Sequence, residues 1–70
     1  MKRRWIFAFE ALDDVGYLDR LGRTVDYSDA AEFIGTDAEA ATEADRRANE
    51  YEERGGGCVL KMTYESRGVV

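Results

Sequence analysis

Cys58 is the one thiol in a 70-residue chain that has no histidine. A cysteine becomes a nucleophile when a base or a positive field draws off its proton. Arg54 and the run Gly55, Gly56, Gly57 lie just before it, but no base accompanies it, because the commonest general base and metal ligand is missing. In the stretch CVLKMTYE, Cys58 reads instead as a small, buried strand residue. The glycine run does not make a phosphate cradle. Such cradles lead from a strand into a helix N-terminus, whose amides meet the anion. This run follows a helix C-terminus and is read as a helix stop and turn. The carboxylate pairs Asp13 with Asp14 and Asp26 with Asp29 lack the spacing of a calcium loop. No catalytic residue, cofactor or metal ligand is assigned, and the expectation is a protein that is not an enzyme.

The chemistry that remains is charge. Fifteen carboxylates face ten Lys and Arg, a net of −5. Residues 1–9 carry +3 and residues 46–70 carry +1, while residues 10–45 hold eleven carboxylates against Arg20 and Arg23, a net of −9. Such a pole repels nucleic acid and attracts basic surfaces. Arg3, Arg4 and Trp5 are accordingly read as a solvated strand start, with no direct contact to nucleic acid. On the helix expected near residues 37–54, Glu39, Glu43 and Glu50 share a face with rises of about 6 and 10.5 Å. A DNA strand places a phosphate about every 3.4 Å. The helix alone is thus too sparse to imitate a duplex, and Arg46, Arg47 and Arg54 dilute it further. Adding the residues upstream gives a denser candidate face: Glu10, Asp13, Asp14, Asp19, Asp26, Asp29, Glu32, Asp37, Glu39 and Glu43.

The elements that must position these groups follow from periodicity. Residues 4–12 alternate with apolar side chains on both faces, Trp5, Phe7, Phe9 and Ala11 on one and Ile6, Ala8 and Leu12 on the other, which predicts a central strand or one whose second face meets a partner. DDVG at 13–16 is turn chemistry. A second strand at 17–21, a turn around Gly22 and a third strand at 24–27 are expected, although 15–34 also suits a short helix. Asp29 and Glu32 could open one helical turn as a capping box, and 31–34 equally reads as a short strand, which Phe33 and Ile34 favour.

Thr36 and Glu39 have the spacing of a capping box, and Ala40, Ala41, Ala44, Ala48 and Tyr51 form one apolar stripe. The helix is predicted to end at Arg54 with Gly55 as its left-handed cap. Residues 58–65 alternate as a last strand, with Cys58, Leu60, Met62 and Tyr64 turned to the helix. The expected fold is α+β: one domain over residues 1–70, with an antiparallel or mixed sheet of three to four strands and one helix on one face. The start MKRRWIFAFEALDD is broken at Glu10, Asp13 and Asp14, unlike a signal peptide, and no segment approaches the roughly 20 apolar residues that cross a membrane. A lone cysteine fits a cytoplasmic setting. Monomer and homodimer both remain open.

In size, charge and architecture, a small acidic, histidine-free chain with TDAEAATEADRR on its helix and CVLKMTYE on its last strand resembles the anti-CRISPR and related host-defence inhibitors of phages and mobile elements. The resemblance implies a stoichiometric inhibitor acting in the cytoplasm of the host cell. Its partner would be a nucleoprotein effector, such as a CRISPR-Cas surveillance complex of the Cascade type. The acidic face would occupy a DNA- or PAM-reading groove as a DNA mimic. The alternative reading is a small interaction or assembly module that docks through the aromatics of strand 1.

Overall fold

The computed structural model describes every residue except Gly56. Its first strand, β1 (Arg3–Ala11), lies in the middle of an antiparallel sheet. On one side it pairs along most of its length with β5 (Val59–Val69). On the other side two short strands share it. β2 (Val15–Leu18) takes the C-terminal half through Ala8, Phe9 and Glu10, and β4 (Phe33–Gly35) takes the N-terminal half through Arg3, Arg4 and Trp5. β3 (Thr24–Val25) lies outside β2. The sheet therefore has five strands where three to four were expected. The excess comes from 15–34, which divides into β2, β3, a 3-10 turn at Tyr27–Asp29 and β4.

The two-sided apolar pattern of β1 is explained by its central position. Trp5, Phe7, Phe9 and Ala11 are buried beneath the helix α1 (Asp37–Glu53), while Ile6, on the opposite face, is fully buried as well. Leu18 and Ala44 complete the cluster around Phe7 and Phe9, with Phe33, Tyr51, Val59, Met62 and Tyr64 packed at its margin. Aromatics come from the sheet, and the helix offers alanine: Ala40 and Ala44 are buried, and Ala41 and Ala48 half-buried. Small side chains let the helix axis approach the strands while the rings fill the space between. Phe9 meets Tyr51 edge-on at 4.5 Å between centroids, and Trp5 meets Tyr64 at 5.4 Å.

The helix start has the reciprocal bonds that its sequence predicts. The Glu39 amide donates to Thr36 Oγ1 at 3.2 Å and the Thr36 amide to Glu39 Oε1 at 2.8 Å. At the other end Gly55 has φ +81°, the left-handed conformation of a helix stop. The reading of the glycine run as a flexible turn lies partly outside the described residues, since Gly56 is its middle member.

The last strand departs from its expected alternation. A bulge between the partners of Glu10 and Ala11 brings Val59 opposite Ala11, so Val59 packs on the core and Leu60 is 55% exposed. Cys58 precedes the strand and is exposed, which corrects its expected place as a buried strand residue.

Candidate functional site

Ten carboxylates were expected to form one face, and the fold sets some of them at one end of β1 and others at the opposite end. Glu10, Asp13 and Asp14 lie at its C-terminal end. Glu10 sits on the sheet face away from the helix, opposite Val15 and Lys61. The turn that follows is closed by the Ala11 amide donating to the Asp14 carbonyl at 2.7 Å. The Asp14 carboxylate accepts the Thr24 hydroxyl at 2.6 Å, which ties the turn to β3, whereas Asp13 is exposed.

Asp37 and Glu39 lie at the other end. Gly35 pairs with Arg3, and the helix starts two residues later. Glu10 is seven residues further along β1, about 23 Å at roughly 3.3 Å per residue. The hairpin and the N-terminal half of the helix therefore do not combine into one surface, as they were expected to do.

Several of the ten are also occupied by the fold. Asp19 accepts the Leu21 and Arg23 amides and Arg23 Nε, each at 2.9 Å, and these bonds, the Arg23 amide foremost, hold its carboxyl below the usual range. Glu32 lies 3.4 Å from Arg67 and 3.9 Å from Arg4. Asp37 accepts the Tyr64 hydroxyl at 3.2 Å, which raises that phenol above its ordinary value. Glu39 is lowered by its capping bonds, first by the Thr36 amide.

Glu43 is the most committed. Arg46 donates to it at 2.6 and 2.9 Å and Arg47 at 2.9 Å, and the Arg46 bonds lead in lowering its carboxyl to about 2. What remains with exposed side chains that take no hydrogen bond or salt bridge among the described residues is Glu10, Asp13, Asp26 and Asp29. Asp26 begins the 3-10 turn without a side-chain capping bond, and Asp29 ends it. Val25 pairs with Tyr17, which pairs with Ala8, so Asp26 follows a position two strand spacings, about 10 Å, from β1.

Two features of this surface are not readable from the sequence. The first is a shallow groove of about 250 Å³ on the sheet face away from the helix, floored by Ala8 and bounded by Val15 and Tyr17 on one side and Lys61 and Thr63 on the other. Glu10 stands at its end. Beyond it, Tyr17 meets Tyr27 edge-on at 5.2 Å and Arg67 lies 4.4 Å over the Tyr27 ring. The neighbouring Glu65 carboxylate and partial burial raise the Tyr17 phenol above its ordinary value.

The second is a small arginine-rich cleft between the β2–β3 turn and the C-terminal half of the helix, lined by Arg20, Arg46, Arg47 and Arg54 with Glu50. Arg46 and Glu50, one helical turn apart, pair within it at 2.8 Å. No sequence signal places Arg20 beside them.

The aromatics of strand 1 belong to the core: Trp5, Phe7 and Phe9 are 6%, 0% and 3% exposed. Among the described residues no group of three or more Cys, Asp and Glu side chains is arranged to hold a metal ion, and no helix is long and apolar enough to cross a membrane. Comparison with protein-family models, with curated proteins and with solved structures finds no match to this chain.

Proposed function

We propose that the protein is a non-enzymatic binding protein that docks its acidic hairpin end onto the basic groove of a nucleic-acid-binding partner and excludes the nucleic acid by competition. One observation carries the reading: Glu10, Asp13, Asp26 and Asp29 are exposed and have no partner among the described residues, whereas Asp19, Glu39 and Glu43 are used by the fold. Free carboxylates on a rigid hairpin and turn pair with Lys and Arg side chains at little ordering cost. The resemblance to phage inhibitors of CRISPR effectors, Cascade-type complexes included, belongs to this reading as the kind of partner it suggests. The helix contributes less than the sequence suggests, because Glu43 and Glu50 are paired with Arg46 and Arg47 on the same helix.

The test is capture from a native host lysate on immobilised protein, followed by competition with duplex DNA. The retained partner is expected to bind DNA, to be displaced by it, and to be released as the Debye length falls from about 10 Å at 0.1 M salt to about 3 Å at 1 M. The triple variant Asp13→Lys, Asp26→Lys, Asp29→Lys removes no side-chain bond among the described residues and should lose the partner. Retention of the same partner by that variant, folded by circular dichroism, would sink the proposal.

A further inference from the structure

β5 is the longest strand and the edge of the sheet, paired with β1 on one side and, among the described residues, with no strand on the other. An open antiparallel edge presents alternate residues with both N–H and C=O directed outward, a template for another strand. Proteins blunt such edges with proline, bulges and charge. This chain has no proline, and its two bulges fall at the ends of the strand, at Leu60 and Arg67. Between them residues 61–66, KMTYES, form one regular run. Lys61, Thr63 and Glu65 lie on the face away from the helix and are exposed, and Met62 and Tyr64 lie on the helix face, half-buried.

That run is self-complementary. A two-fold axis normal to the sheet must put a residue opposite itself, because opposed residues in an antiparallel pair share a face. With Thr63 on the axis, Lys61 faces Glu65 of the second copy, Met62 faces Tyr64, and each match occurs twice. Every neighbouring register is worse. Centring on Met62 leaves Lys61 opposite Thr63, and Glu65 without an opposed cation. Centring on Tyr64 sets Lys61 against Arg67, and centring on Lys61 or Glu65 sets that charge against its own copy. Opposite charges directly across a pair stabilise it and like charges oppose it.

We propose that two copies of the chain associate through β5 in this register, making one continuous sheet with Thr63 on the two-fold axis and both helices on the same side. Asp37 and Glu52 reach from α1 onto β5, through the Tyr64 hydroxyl and the Val59 amide, so both helices bring carboxylates to the seam. Their repulsion makes the pair a weak one. It also sets the conditions of the test: salt high enough to screen charges on the two helices, which suppresses the charge-driven docking of the hairpin at the same time.

The experiment is sedimentation equilibrium at about 0.5 M salt, where the Debye length is about 4–5 Å, with chain concentrations up to about 1 mM, in the range of weak interfaces. The wild type is expected to dimerise reversibly. Glu65→Lys sets lysines against each other twice and should raise the dissociation constant about tenfold. Adding Lys61→Glu restores opposite charges and should recover most of it, with circular dichroism reporting the fold. A variant that does not depend on those charges gives an independent answer. In a Cys58→Ser background, Thr63→Cys should form a disulfide dimer under mild oxidation, since Cα atoms opposed across an antiparallel pair lie about 4.5–5.5 Å apart. Lys61→Cys should not, because its counterpart is displaced by four residues, about 13 Å. A wild type that stays monomeric throughout, or equal cross-linking at both positions, overturns the proposal.

Discussion

The guanidinium carbon of Arg47 lies 4.8 Å from the centroid of the Phe7 ring. Phe7 is fully buried, so a residue from the charged face of the helix covers the core. The stem of Arg47 supplies the apolar cover, the cation sits over the ring, and Nε donates to Glu43. The side chain is only 16% exposed. Arg47→Ala should therefore destabilise the fold by about 1–2 kcal/mol, and Arg47→Met, which keeps the apolar stem, by about half as much. Urea unfolding measures both. Equal losses in the two variants would show that the charge alone matters.

Glu43 gives the fold a defined pH dependence. Its carboxyl is lowered from 4.5 to about 2, first by Arg46 and then by Arg47. A group depressed in the folded state adds stability that is complete above its unfolded value and disappears as the pH falls through its folded value. The window here runs from about pH 4.5 down to about 2. The side chain is 14% exposed but Arg46 is 57% exposed, so water screens part of the interaction, and a contribution on the order of 2 kcal/mol remains. Glu43→Gln should be less stable than the wild type by that amount at pH 6, and the two should converge near pH 2. Urea midpoints across this range decide it; a constant difference would assign the stabilisation to packing.

Elements governed by local rules were legible in the sequence. The capping box of Thr36 and Glu39, the alanine stripe and the glycine stop depend on neighbours within a few residues, and the helix spans Asp37–Glu53 as its caps demand. The central place of β1 was legible because Ile6 and Phe7 are both apolar on opposite faces. β5 was legible only as far as strict alternation holds. The bulge opposite Glu10 and Ala11 turns Val59 inward, and residues 66–69, which include Gly68, are strand only because Arg3, Arg4 and Trp5 pair with them. Strands as short as Thr24–Val25 likewise depend on partners far away in sequence.

The carboxylates illustrate the same limit. Sequence places Asp13 in a turn and Asp19 in the second strand, yet Asp19 is consumed by three donors from Leu21 and Arg23 and Asp13 by none among the described residues. Which acid is free is decided by turn geometry, and composition carries no record of it.

Trp5 is tied to the strand beside it by its indole. Nε1 donates to the Gly35 carbonyl at 2.9 Å inside the core, at the junction where β4 becomes the helix. Trp5→Phe removes the donor and leaves a buried carbonyl unpaired, which costs about 1–3 kcal/mol beyond the lost area. The expected readout is a lower urea midpoint together with faster amide exchange at residues 33–37. A variant with unchanged exchange there would mean that β4 is held by its ladder with β1 alone.

The β2–β3 turn and the helix end are coupled through Gly22 and Arg54. Gly22 has φ +82°, and a Cβ built there would stand 2.6 Å from Arg54 Nη2. Arg54 donates to the carbonyls of Leu21 at 3.1 Å and Gly22 at 3.4 Å, which joins the last turn of the helix to the hairpin. Gly22→Ala meets two separate penalties: left-handed backbone, about 1 kcal/mol, and displacement of a guanidinium that is free to swing away. The backbone cost is independent of Arg54 and the displacement is not. Arg54→Ala alone should cost less than about 1 kcal/mol, because the side chain is exposed. Gly22→Ala should cost about 1–2 kcal/mol in the wild type and only its backbone share in the Arg54→Ala background. The double-mutant cycle should thus show a coupling of roughly 0.5–1 kcal/mol. Strict additivity would mean that the guanidinium contributes nothing to fixing this turn, and that the Asp19 bonds alone hold it.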